Sequence, residues 1–201
     1  MYKKTAVFFS ILFHPLFMPL LGISILLFSG GYVSLLPMAA KKMIILLIAT
    51  GTLLLPALMM PLAYFQGDIL MQKRFQRNIP LTLSFIFYLL TYLLFLKVPV
   101  YGFLHNFMLG SLSSVLLALF INLRWKISLH MIGLGGLTAF LLLVSFTNEI
   151  NLFPYLILSI LASGITGTAR LYLDSHTPAQ IYAGFFAGFV AMSASLIIFA
   201  N

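Results

Sequence analysis

The sequence contains no cysteine, one tryptophan and only three acidic residues among 201. Without cysteine, disulfide staples and thiolate metal sites are excluded. The shortage of acids leaves a formal net charge of +8 although only eleven lysines and arginines are present. A nucleic-acid partner is not expected, because such binders set basic runs on an otherwise polar surface and this chain has no such surface. Long polar linkers and repeats of constant period are also missing, which predicts a single domain over residues 1–201. What fills the chain is apolar: 62% of its residues are hydrophobic and the mean hydropathy is +1.13. A soluble domain of this length cannot bury so much apolar surface, so lipid is its expected solvent.

Seven apolar segments, near 7–29, 43–65, 80–97, 101–122, 129–147, 152–170 and 179–199, approach the roughly 20 residues that a helix needs to cross hydrocarbon. They predict an all-α polytopic membrane bundle of about seven transmembrane helices. The third and fourth segments have an alternative reading as one re-entrant hairpin around Lys97, Val98 and Pro99. Lys3 and Lys4 followed by an apolar run resemble a signal peptide. The run reaches Phe28 with no small-residue cleavage site, which favours a retained span. Pro15, Pro19, Pro56 and Pro61 predict kinks in the first two spans. Gly184 and Gly188 have the spacing of close helix approach, inside the bundle or between copies.

Counting crossings assigns the interruptions to faces. With seven spans, the amino terminus and the loops at 66–79, 124–127 and 171–177 share one face. The other loops and the carboxyl terminus lie opposite. The shared face holds nearly all the polar residues with chemical potential. At membrane depth such groups cost roughly 2.5–3.5 kcal/mol each, so a functional reading is their default.

Three clusters stand there. In TARLYLDSHTPAQ, Arg170 and His176 have five residues between them, and Gln180 is four positions beyond His176. Thr177 can cap a helix that begins at Pro178, which brings His176 and Gln180 within hydrogen-bonding reach. A guanidinium suits phosphate because it stays charged and donates paired hydrogen bonds. A neutral imidazole beside it can attack phosphorus when its other nitrogen is held by an acceptor. In WKISLHMIG, Ser128 stands where the fifth span should begin, a helix amino terminus that attracts anions, and His130 is positioned to protonate a leaving alkoxide. In QKRFQRNIPL, Lys73, Arg74 and Arg77 precede the third span. They read either as phosphate ligands or as a basic loop that anchors topology and binds anionic headgroups.

These motifs resemble the membrane-embedded type 2 phosphatidic acid phosphatase superfamily over residues 70–190. Its third motif, S-R-x5-H-x3-D, matches Arg170 and His176 in spacing. Its P-S-G-H motif is met at Ser128 and His130, and its K-x6-R-P motif loosely by Lys73, Arg74, Arg77 and Pro80. The chain departs at Gln180, where the family has Asp, at Ala169 for Ser and at Leu129 for Gly. The resemblance implies a six-helix core, and lipid phosphates or diphosphates as substrates with no metal or other cofactor. It also implies His176 as nucleophile, His130 as general acid, and Arg170, Ser128 and the cations at 73–77 as phosphate ligands. Gln180 can still orient the imidazole, and Asp174 can supply the missing charge. A member that binds or moves phosphorylated headgroups without hydrolysis is the alternative, and a transporter with mid-membrane polar residues is a third reading.

His14, in the first span, could pair with a neighbouring helix and is left out of the site; His105 reads as structural, the belt of Arg124, Trp125 and Lys126 as interfacial, and Asp68 and Glu149 as loop acids. The expected location is a bacterial cytoplasmic membrane. The shared face carries eight of the eleven Lys and Arg, but four of the eight are candidate phosphate ligands, so charge does not decide which side that face occupies.

Overall fold

The computed structural model describes residues 2–59, 77–147 and 151–198, and among them there is no strand. Lys73, Arg74, Pro61, Asp68 and Glu149 lie outside the described residues.

The first apolar segment forms α1 (Tyr2–Leu12), a 3-10 turn (Pro15–Phe17) and α2 (Met18–Phe28). Its break lies at the first proline. Proline disfavours helical backbone in the residue before it, and His14 is extended with φ −63° and ψ 137°. Pro19, in the first turn of α2, does no such damage because a proline's missing donor is not needed there. The second segment runs as α3 (Met38–Ile48), a π-helical stretch (Ala49–Leu54) and α4 (Leu55–Met59). The widening precedes Pro56, whose ring would clash with the carbonyl four residues back in a regular helix.

α5 (Asn78–Phe95) and α6 (Gly102–Arg124) are two full-length helices, which sets the re-entrant hairpin aside. α7 (Leu129–Thr147), α8 (Phe153–Tyr172) and α9 (Pro178–Ile198) complete the chain. Among the described residues, six stretches are long and apolar enough to cross a membrane: Tyr2–Phe28, Met38–Leu58, Asn78–Phe95, Gly102–Arg124, Leu129–Phe146 and Pro178–Ile198. α8 is not one of them, since Ser159, Ser163, Thr166 and Arg170 dilute its apolar sequence. It is nonetheless 20 residues long and packs along α7, and Arg170 near its end lines the same cavity as Leu129 at the start of α7. The helix therefore runs back the full distance that α7 covers. Exposed Ile157, Leu158, Ile160 and Leu161 on its outer side suit a lipid surround.

α7 is the central helix, with Leu134, Ala139, Phe140 and Leu141 wholly buried. The larger apolar core lies toward the face away from the polar loops and joins Val33, Ile44, Phe95, Leu104, Phe107 and Phe140. A smaller one of Leu81, Ala118, Ile127 and Ile132 sits close to those loops. The tightest seam is α7 against α9. A Cβ on Gly188 would strike the Ile132 carbonyl, one on Gly135 the Phe185 carbonyl, and one on Gly184 would come within 2.7 Å of the Ser128 carbonyl oxygen. The glycine spacing at 184 and 188 thus serves packing within the bundle.

Gly188→Ala is expected to force α7 and α9 apart at a cost of about 1–3 kcal/mol, the usual range for overpacking. Gly164→Ala, on a position with open space around it, is expected to cost nothing. Thermal midpoints of the detergent-solubilised variants check this, and equal midpoints would contradict the seam.

Candidate functional site

The loop between α8 and α9 is clamped at both ends. At the close of α8, the Asp174 N–H donates to the Leu171 carbonyl at 2.9 Å and the Ser175 N–H to the Arg170 carbonyl at 3.1 Å. This paired closure requires a left-handed residue, usually glycine. Here Asp174 takes it at φ +49°, a conformation that aspartate tolerates better than most. At the start of α9, the Gln180 N–H donates to the Thr177 hydroxyl at 3.5 Å, and the Thr177 N–H donates to Gln180 Oε1 at 3.2 Å. Threonine followed three residues later by glutamine is a reciprocal cap. Arg170 and His176 are thus held at the two ends of one rigid turn.

That cap also sets the state of His176. Because a backbone N–H can only donate, the Thr177 contact identifies the Gln180 atom as oxygen rather than nitrogen. The same oxygen lies 3.0 Å from His176 Nδ1, so Nδ1 carries the proton and donates it. The Nε2 lone pair is left free. Gln180 therefore fixes the orientation of the His176 ring with a neutral acceptor.

The 125–128 loop is joined to this turn. The Ser128 N–H donates to the Gln180 carbonyl at 3.4 Å, and the Ser128 carbonyl accepts from Ile132 N–H, opening α7. Arg77, buried just ahead of α5, donates from Nη1 to the Ile127 carbonyl at 3.3 Å. His130 in the first turn of α7 donates from Nε2 to the Ser10 carbonyl of α1 at 2.9 Å, and its ring meets that of His14 edge-on with centroids 5.4 Å apart. The amino-terminal helix is thereby part of the site.

One cavity of about 620 Å³ opens among these elements, lined at this face by Lys3, Arg77, Lys126, His130, Arg170 and His176. Lys3, Arg77 and the loops at 124–127 and 171–177 do share one face, as the crossing count requires. Of the residues singled out in the sequence, Arg77, His130, Arg170 and His176 line the cavity, and Gln180 stands behind His176. Ser128 does not line it: its hydroxyl is buried with no partner among the described residues, held back where its carbonyl faces Gly184. The expected hydroxyl cap on α7 is therefore absent.

Two expectations are corrected. Lys126, assigned with its neighbours to an interface belt, lines the cavity, whereas Trp125 is exposed as a belt residue should be. Its position two residues ahead of Ser128 was the available signal. His14, left out of the site, does pair with a neighbouring helix through His130, and it also lines the cavity. A lone histidine in an apolar run shows no partner in sequence, although the proline after it marks the break that turns it inward. His105 is structural as expected, with Nε2 at 3.1 Å from the Phe95 carbonyl near the opposite face.

The electrostatics are one-sided. Burial lowers the His176 pKa to about 3, with the Arg77 charge next and Arg170 and Lys126 adding, against the hydrogen bond to Gln180. Burial and then Arg170 lower Arg77 to about 10. Burial, Arg77 and Arg170 lower Lys126. Among the described residues, Arg170 Nε is buried without a hydrogen-bond partner and the one carboxylate along the cavity, Asp174, is exposed. An anion would relieve these repulsions and offer Arg170 an acceptor.

Because His176 is neutral when folded but ordinary when unfolded, the unfolded chain binds the extra proton between about pH 6.5 and 3. Stability therefore falls as pH drops through that window, by up to about 1.4 kcal/mol per pH unit from this group. His176→Gln is expected to flatten that dependence, read as the thermal midpoint from pH 7 to 4. Imidazole ¹⁵N shifts are expected to show His176 neutral at pH 5, and a midpoint near 6.5 would contradict the burial and charge argument. Comparisons with protein-family models, with curated proteins and with solved structures return no match for this chain.

Proposed function

We propose that the protein is an integral membrane phosphatase that hydrolyses a phosphomonoester or diphosphate lipid through a phosphohistidine on His176, in a bacterial cytoplasmic membrane. The observation that carries this reading is a neutral imidazole with Nδ1–H held by Gln180 on the wall of a cavity that Arg77, Lys126 and Arg170 also line. A nucleophile, an orienting acceptor and convergent cations are the parts that metal-free phosphoryl transfer needs.

In the first step the Nε2 lone pair forms a bond to phosphorus and the bond from phosphorus to the leaving oxygen breaks. Arg77, Lys126 and Arg170 balance the charge on the three remaining oxygens. His130, held through Nε2–H by the Ser10 carbonyl, takes at Nδ1 the proton that a phosphate monoanion brings and gives it to the leaving alkoxide. In the second step water attacks phosphorus, passes one proton through His130 Nδ1 to the departing phosphate and breaks the P–N bond. Phosphate leaves and His176 is neutral again. Gln180 gives no negative charge to stabilise the phosphohistidine's imidazolium, and Asp174 substitutes for it electrostatically.

The neutral Gln180 also favours a second reading, a member that binds or moves phosphorylated headgroups without cleaving them. Purified protein assayed on phosphatidic acid, phosphatidylglycerol phosphate and a polyprenyl diphosphate separates the two. Release of phosphate is expected from at least one, falling at least about 10³-fold in His176→Ala and about 10²-fold in Arg170→Gln. Release unchanged in His176→Ala would overturn the nucleophile. Binding without release by the wild type would establish the second reading.

A further inference from the structure

The cavity does not end at the polar face. Along α5 it continues from Arg77 to Tyr88 and along α6 from Ala118 to Phe107, eleven residues on each helix, or about 16 Å at 1.5 Å per residue. Half of a hydrocarbon core of roughly 30 Å is about the same distance, the reach of a tail in one leaflet. At this depth its walls include Tyr88, Phe107, Ser111, Leu137 and Met192. Three hydroxyls of the deep walls are already matched. Ser111 donates to the Phe107 carbonyl at 3.0 Å, Ser114 to the Gly110 carbonyl at 2.8 Å, and Tyr88 bonds with Thr52. Hydroxyls satisfied within the protein offer water little to bind, and the apolar side chains around them suit hydrocarbon. Cationic mouth and apolar shaft form one continuous cavity, so a single molecule with an anionic head and an apolar tail fits both.

We infer that a phosphate-headed lipid threads one hydrocarbon tail down this shaft, between α5, α6, α7 and α9, rather than leaving it in the bilayer beside the bundle. This rests on the phosphate-site reading above for the head. The tail's location is independent of whether the head is cleaved. The shaft admits roughly a dozen carbons, one leaflet's worth, before it meets Phe107 and Met192. Met192 closes it with a flexible thioether that also touches the α6 backbone region at Gly110.

A non-hydrolysable dodecylphosphonate with a diazirine at the tail end, photolysed on the protein in lipid nanodiscs, reads the tail's location by mass spectrometry. Labels are expected on Phe107, Ser111 or Met192, and dodecylphosphonate without the diazirine should remove them. Inorganic phosphate at saturating concentration should lower them if the head occupies the cationic mouth. In Ser111→Trp, which fills the shaft, the deep labels should fall at least tenfold while butylphosphonate still displaces bound phosphate, a check that the variant is folded. Labels confined to outward-facing residues such as Ile86 and Phe120 in the wild type would overturn the inference, whatever the activity assay returns. Deep labels unchanged in a Ser111→Trp variant that still binds butylphosphonate would overturn it as well.

Discussion

The site depends on how closely α7 and α9 approach. Only glycine at 135, 184 and 188 lets the two backbones come within carbonyl contact of each other. That distance allows the Ser128 N–H to reach the Gln180 carbonyl and so joins the start of one helix to the first turn of the other. Everything chemical hangs from this joint. Gln180 orients His176, the 125–128 loop brings Lys126 and the Arg77 contact at Ile127, and the first turn of α7 carries His130. In lipid, helices gain little from apolar contact alone, so a seam of small residues is the available way to fix such a geometry.

The second constraint is the gathering of like charge. Arg77, Lys126 and Arg170 lower one another's basicity or that of His176, and burial strengthens each interaction. A stable protein can keep such an arrangement only at a cost, and the seam and the far core offset it. The larger apolar core lies toward the other face, where Phe107, at the deep end of the cavity, packs on Phe140 at 4.2 Å between centroids. Stability and the charged cavity are thus divided between the two halves of the bundle.

Much of this was legible in the residues. Apolar run lengths predicted the helices, Pro15 the break in the first, and the parity of crossings put Lys3, Arg77 and the loops at 124–127 and 171–177 on one face. The spacing of Arg170, His176 and Gln180 predicted the capped turn and its hydrogen bond. Other features were hidden because they are relations between distant segments. Nothing local to His14 announces His130, and nothing local to Lys126 separates an interface lysine from a cavity lysine. Ser128 has the sequence of a cap, yet the close approach of Gly184 decides where its backbone sits, and its hydroxyl is left unpartnered. α8 is less apolar than its neighbours because Arg170 and a buried serine and threonine stripe serve the interior rather than the lipid.

The central claim is that the free Nε2 of His176 becomes bonded to phosphorus. Rapid quench of the protein with a ³²P-labelled lipid phosphate, followed by peptide mapping, tests it directly. The account predicts label that survives base, is lost in acid and maps to the peptide containing His176. Phosphate release in steady state with no such label, or label mapping to another residue, would contradict it.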